Sequence, residues 1–170
     1  KCIKFIFQPA EEDGGGALPM INEGVLENPK VTRMIGYHVW PGLELGAIEA
    51  TSGPSMGSVD DFRILFKGKG GHGAMPDLCV NPLKPAVEVS YTLQNYKASQ
   101  ASTPYVLNLT SINCGNAPNV VSDEALVMGT LRTFDDSLRN HLKNEIRKAA
   151  AEYATKYGCT HSVTFEDEYP

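Results

Sequence analysis

Apolar and polar positions alternate most clearly in the second half of the chain. Phe62, Ile64 and Phe66 alternate with Arg63 and Lys67, the signature of a half-buried strand. Asn81 followed by Pro82 supplies an N-cap and a proline at the first helical position. Leu83, Ala86, Val87, Ser90 and Leu93 then recur at helical spacing. A second strand is expected over Tyr105 to Ile112. A third carries Ala125, Val127, Gly129 and Leu131 on one face. Asp135 can cap a long helix bearing Leu138, Leu142, Ile146, Ala149, Tyr153 and Tyr157 on its apolar stripe. His161 to Phe165 closes the series as a fourth strand. The order β-α-β-β-α-β predicts a four-stranded antiparallel sheet with two helices on one face, the split βαβ or ferredoxin-like arrangement.

The first part of the chain reads differently. Cys2 to Phe7 is a short apolar run suited to a buried strand. A helix containing Ala17, Met20 and Ile21 should end at Gly24, and Val31 to Val39 and Leu45 to Ala50 read as further strands. Strand, helix, strand, strand is the look of one piece of an α/β sheet. Between the two parts, Thr51-Ser52-Gly53-Pro54-Ser55-Met56-Gly57-Ser58 has the composition of a linker. The fold class expected is therefore α/β plus α+β. A partial α/β segment over 1–57 is followed by a ferredoxin-like βαββαβ domain over 58–170.

Composition narrows the function classes. With 170 residues, 42% hydrophobic and 21% charged, the chain is an ordinary globular sequence. A net charge of −5 argues against nucleic acid as a partner. No apolar run approaches the ~20 residues of a membrane span. Cys2, Cys79, Cys114 and Cys159 form no C-x-x-C pair, so reduced thiols in a cytoplasmic protein are expected.

Five short segments carry candidate chemistry. Gln8-Pro9-Ala10-Glu11-Glu12-Asp13 follows the first expected strand. Adjacent carboxylates repel unless a positive group sits near them, and a divalent cation serves that purpose. One carboxylate could then ligate metal while its neighbour takes a proton from water; an acidic solvent-facing loop is the alternative. Gly36-Tyr37-His38 puts an imidazole, a common metal ligand, at the end of another expected strand. In Gly68-Lys69-Gly70-Gly71-His72-Gly73-Ala74-Met75-Pro76, glycines and a proline shape a loop around one histidine. A phosphate-binding loop is a further reading of it, though the pattern G-x-x-x-x-G-K-[ST] is absent. Asn119, within Asn119-Val120-Val121-Ser122-Asp123, could present its amide to a ligand or belong to an ordinary turn. Arg132, within Gly129-Thr130-Leu131-Arg132-Thr133, should point away from the helices, where it could clamp a carboxylate.

Taken together and in order, these five segments resemble the M20 metallopeptidase family, in its aminoacylase, hippurate hydrolase and indoleacetyl-amino-acid hydrolase group. The resemblance extends over essentially the whole chain. It implies cleavage of the amide bond of N-acyl amino acids with one or two divalent metal ions, Zn, Mn, Ni or Co. By the same resemblance Glu11 is the general base acting on a metal-bound water, and Glu12 and His38 are metal ligands. His72 is expected to reach into a partner subunit's site and polarise the scissile carbonyl. Asn119 and Arg132 are expected to hold substrate, Arg132 through the amino-acid carboxylate. Residues 58–170 correspond to the family's lid or dimerisation domain, which implies a homodimer, with no nucleic-acid or membrane partner.

The family also has an earlier strand with a Cys or His followed by His and Asp, and a late His; neither pattern is present. Two ligands are fewer than the three that a catalytic zinc-type site uses. The chain is therefore expected to be an internal fragment that is inactive in isolation. The alternative is a non-catalytic dimerisation module that associates through its sheet edge and adjacent helix.

Overall fold

The computed structural model describes residues 2–11, 15–99 and 101–169, with backbone alone for 167–169. The chain divides into two compact units, Lys1–Ser55 and Met56–Pro170.

In the first unit one short helix, α1 (Ala17–Asn22), forms as expected, with Gly24 just beyond it in a left-handed conformation at φ +84°. The expected strands over 2–7, 31–39 and 45–50 do not form among the described residues. A strand satisfies its N–H and C=O groups through a neighbouring strand, and none of these segments has one. Their apolar side chains, including Phe5, Phe7, Ile35, Val39 and Ile48, are correspondingly exposed. An apolar run states a preference for burial; it does not supply the surface that buries it.

The second unit has the expected order: β1 (Ser58–Lys67), β2 (Gly71–His72), α2 (Leu83–Gln94), β3 (Tyr105–Asn113), β4 (Val120–Val121), β5 (Glu124–Thr133), α3 (Asp136–Tyr157) and β6 (Thr160–Tyr169). The four long strands form one antiparallel sheet in the order β3-β5-β1-β6, with β1 and β5 central. β2 and β4 make a separate two-stranded ribbon, and Pro76–Leu78 is a 3-10 turn. Neither follows from the hydrophobic pattern.

Both helices cover one face of the sheet. Phe62, Ile64 and Phe66 of β1 and Val127 of β5 pack against Ala86, Val89 and Leu93 of α2 and Ile146, Ala150 and Ala154 of α3. Leu131, Leu138 and Leu142 extend this layer toward Tyr96 and Tyr105. The sequence stripe on α2 is corrected: Leu83 and Val87 are exposed, while Pro85 and Val89 are buried beside Ala86 and Leu93. The helix buries its Pro85-Ala86-Val89-Leu93 side. Gly129 is required by close packing within the sheet. A Cβ at this position would lie 2.5 Å from both the Asn108 carbonyl oxygen and Cζ of Phe62, which stands opposite it in the sheet.

The helix termini follow the expected chemistry. The Leu83 N–H donates to Oδ1 of Asn81 at 3.0 Å. Asp135 caps α3 by accepting from the Leu138 N–H at 2.7 Å, and Gly158 ends it in the left-handed region at φ +68°. Among the described residues no helix is long and apolar enough to cross a membrane. None of the four cysteines is in a disulfide.

Polar contacts clamp the two helices together. Lys156 donates to Glu88 at 2.6 Å, the Tyr157 hydroxyl donates to the same carboxylate, and Thr92 and Tyr153 share a hydrogen bond of 2.6 Å. The Glu88 carboxyl is held below its ordinary pKa, first by Lys156 and then by Tyr157. Asp135 is likewise held low, by the Ser137 hydroxyl first and the Leu138 N–H second. A carboxyl with a depressed folded-state pKa contributes stability that is present above its unfolded pKa of about 4 and is lost as pH falls through the folded value. The urea midpoint should therefore drop as pH falls below about 4, and Glu88→Gln with Asp135→Asn should flatten that drop. An unchanged acid slope in the double variant would assign acid sensitivity to other groups.

Candidate functional site

The structure joins two of the sequence candidates. β2 and β4 pair so that His72 lies opposite Val120 and Gly71 opposite Val121. The Gly73 N–H donates to the Asn119 carbonyl at 2.8 Å, placing Asn119 one step beyond His72 on the facing strand. This ribbon runs on from the end of the β1–β5 ladder, where Lys67 stands opposite Glu124. The Gly68 N–H donates to the Asp123 carbonyl at 2.8 Å, and the Gly70 N–H to Oδ1 of Asp123 at 2.8 Å. Asp123 thus anchors the base of the ribbon, a part that the sequence motif contained without declaring.

The glycines here allow close approach. A Cβ on Gly68 would fall 2.0 Å from the Val80 carbonyl oxygen. A Cβ on Gly71 would meet the Cys79 sulfur at 2.8 Å. The Cys79-Val80 segment is therefore packed against the ribbon and its base, and the histidine stands on a braced hairpin.

The His72 ring is exposed, and its Nδ1 accepts a hydrogen bond from the Ala74 N–H at 3.1 Å. An Nδ1 that accepts carries no proton, so the neutral ring holds its proton on Nε2. His72 accordingly presents an N–H donor outward. Asn119 is also exposed.

Arg132 does point away from the helices: it is exposed, while Leu131 and Thr133 on either side are buried. It pairs with Val59 at the opposite end of the sheet from the ribbon. The eight residue-to-residue steps along β1 from Val59 to Lys67 amount to roughly 26 Å at the usual rise. The structure therefore brings His72 and Asn119 together and sets Arg132 far from both within one subunit.

In the first unit, Glu11 and His38 are exposed. Glu12 lies outside the described residues. His38 Nδ1 is 2.6 Å from the Val39 carbonyl, to which it can only donate, leaving Nε2 as the nitrogen with a lone pair. The His38 ring also stands edge-on to Trp40 at 5.7 Å. Among the described residues no group of three or more His, Cys, Asp or Glu side chains could hold a metal ion. A carboxylate and an imidazole, as Glu12 and His38 supply, suit a divalent metal and make two of the three protein ligands that such a centre uses.

Beside the ribbon is a cleft of about 520 Å³. Gly73 and Val120 form its edge, and Leu83, Cys114, Ala117 and Pro118 are among its walls. Burial pushes the Cys114 thiol above its ordinary pKa.

An antiparallel sheet in this order, covered by two helices and carrying a histidine ribbon at one end, defines a ferredoxin-like domain of the lid type. Residues 57–158 match the family profile of the peptidase dimerisation domain, M20_dimer, and the chain belongs to that family. It is 36% identical to thermostable carboxypeptidase 2 of Saccharolobus solfataricus, over 99% of this chain and 44% of that protein. It is 37% identical to N-acetylcysteine deacetylase of Bacillus subtilis, over 92% of this chain and 41% of that protein. Among solved structures, a dinuclear metal-binding peptidase of the M20 family from Bacillus subtilis superposes with a TM-score of 0.74. Its sequence identity is 33%, covering 98% of this chain and 41% of the other. The chain thus spans about two-fifths of the length of these relatives.

Proposed function

We propose that this chain is part of a metal-dependent amidohydrolase that cleaves the amide bond of N-acyl amino acids and works as a homodimer. Residues 1–57 belong to its catalytic domain, and 58–170 form the lid through which two copies associate. A relative named as a deacetylase of N-acetylcysteine supports the substrate class, and a neighbour described as a dinuclear metal-binding peptidase supports a metal requirement; divalent Zn, Mn, Ni or Co is what the family resemblance implies. Glu12 and His38 are assigned to that metal and Glu11 to proton transfer, as the resemblance implies. The unpaired thiols suit a reducing cytoplasm.

The observation that carries the dimeric reading is the separation of Arg132 from the His72–Asn119 ribbon. A substrate the size of two residues spans about 7 Å. It cannot touch both ends of a strand pair roughly 26 Å long. In a two-fold dimer it can: one copy supplies Arg132 for the carboxylate, and the other supplies His72 and Asn119 for the carbonyl. Strand β3 lies at the edge of the sheet, and Val106, Ile112 and the α2 residues Val87 and Tyr91 leave apolar surface exposed beside it. That edge and helix are the surface assigned to the partner copy.

Mixing tests the shared site. In the complete enzyme, His72→Ala and Glu11→Gln subunits are each expected to be nearly inactive alone. Unfolded, mixed and refolded together, they should regain about a quarter of the wild-type rate, the share expected if half the dimers are mixed and each holds one intact site of two. Absence of recovery would place His72 and Glu11 in the site of one subunit. The second reading, a dimerisation module without catalysis, is favoured by the profile match, which begins at residue 57. Turnover of N-acyl amino acids by the complete protein would exclude it.

A further inference from the structure

We propose that the cleft beside the His72 ribbon is the acyl pocket of this site, with Leu83 and Ala117 setting the size of acyl group admitted; this rests on the amidohydrolase reading. The cleft starts where the proposed carbonyl-polarising group ends. Gly73 follows His72 in the chain, Val120 stands opposite His72 in the ribbon, and both line the cleft. His72 does not itself line the cleft; a substrate whose carbonyl oxygen meets its Nε2 reaches the cleft across Val120, the cross-strand partner of His72.

The connectivity of the substrate decides which part enters. The scissile carbonyl lies between the amide nitrogen, which leads to the amino-acid carboxylate, and the acyl carbon. The carboxylate is assigned to Arg132 of the other copy, so the acyl group is what continues past His72. The lining fits that choice, because it contains no charged side chain. Asn81, Asn116 and Ser122 give it neutral polar groups; Oδ1 of Asn81 accepts from the Leu83 N–H, and the Ser122 hydroxyl donates to the Glu124 carbonyl at 2.8 Å. Burial of the Cys114 thiol disfavours its charged form. A carboxylate entering here would lose water without meeting a cation, whereas a neutral acyl group gains contact with Leu83, Ala117, Pro118 and Val120. A volume of about 520 Å³ lies within the range of small-molecule sites and exceeds the needs of an acetyl group.

The test compares kcat/KM for N-acetyl and N-benzoyl derivatives of one amino acid in the complete enzyme. Ala117→Phe, which narrows the cleft, should lower the benzoyl value at least about tenfold more than the acetyl value. Leu83→Ala, which enlarges the cleft, should move the ratio toward benzoyl. Leu83→Ala decides alone if Ala117→Phe does not fold. A ratio unchanged in the folded variants, with the wild type active, overturns the acyl pocket and leaves the amidohydrolase reading standing. A wild type that hydrolyses neither substrate overturns both.

Discussion

His72→Ala should lower kcat of the complete enzyme by roughly 10²–10³-fold, the usual cost of removing one donor that stabilises a developing oxyanion. The donor is defined by the structure: Nδ1 is occupied by the Ala74 N–H, so the neutral ring offers its proton from Nε2. The donor also stands on a stiff support. Asp123 ties down Gly68 and Gly70, Asn119 ties down Gly73, and Cys79 packs beneath Gly71. Such preorganisation means little reorientation is needed as charge develops on the carbonyl oxygen. The ring is exposed, so its removal should leave the melting temperature nearly unchanged. Steady-state kinetics and a melting curve together check the prediction. A rate within threefold of wild type would remove His72 from the reaction.

Asp60→Asn should destabilise the protein by about 3–5 kcal/mol, the range found when one partner of a buried ion pair is removed. Asp60 is fully buried on the helix-facing side of β1. Arg139 grips it with two hydrogen bonds of 2.6 Å, and Lys143 approaches Oδ1 at 2.8 Å. The two cations are one helical turn apart on α3, with side chains only 13% and 10% exposed. Without the carboxylate they repel each other in a poorly solvated place. Lys143 and Arg147 also lie over the Phe165 ring, at 5.1 Å and 4.7 Å, so the loss would spread to β6. Urea unfolding measures the change. Replacing all three groups together, by Asp60→Leu, Arg139→Met and Lys143→Leu, should recover most of the loss. A single variant within 1 kcal/mol of wild type would show that the cluster adds little.

Asp60 also marks the limit of pattern reading. Phe62, Ile64 and Phe66 were legible as the inner face of β1 because apolar side chains recur with period two. Asp60 occupies the same face, but a charge in that register looks like the end of a strand. Its charge is met there by Arg139 and Lys143, which lie far along the chain on α3. The ribbon was illegible for a similar reason. Two-residue strands carry no periodicity, and the pairing of Gly71 with Val121 joins segments fifty residues apart. The three strands expected before residue 51 failed in the other direction, since each had the composition of a strand and none had a neighbour.

Local chemistry was enough to determine the βαββαβ order of the second unit, its capping residues and the five segments that resemble the M20 family. Periodicity, N-caps and turn glycines act over a few residues, so they are written in the sequence itself. Tertiary structure decided which of those segments meet. It brought His72 and Asn119 together, opened an uncharged cleft beside them and carried Arg132 to the far end of the sheet. Those relations depend on strand register and on loops that close over long stretches of chain, where the interactions that decide the outcome are between residues that no local pattern connects.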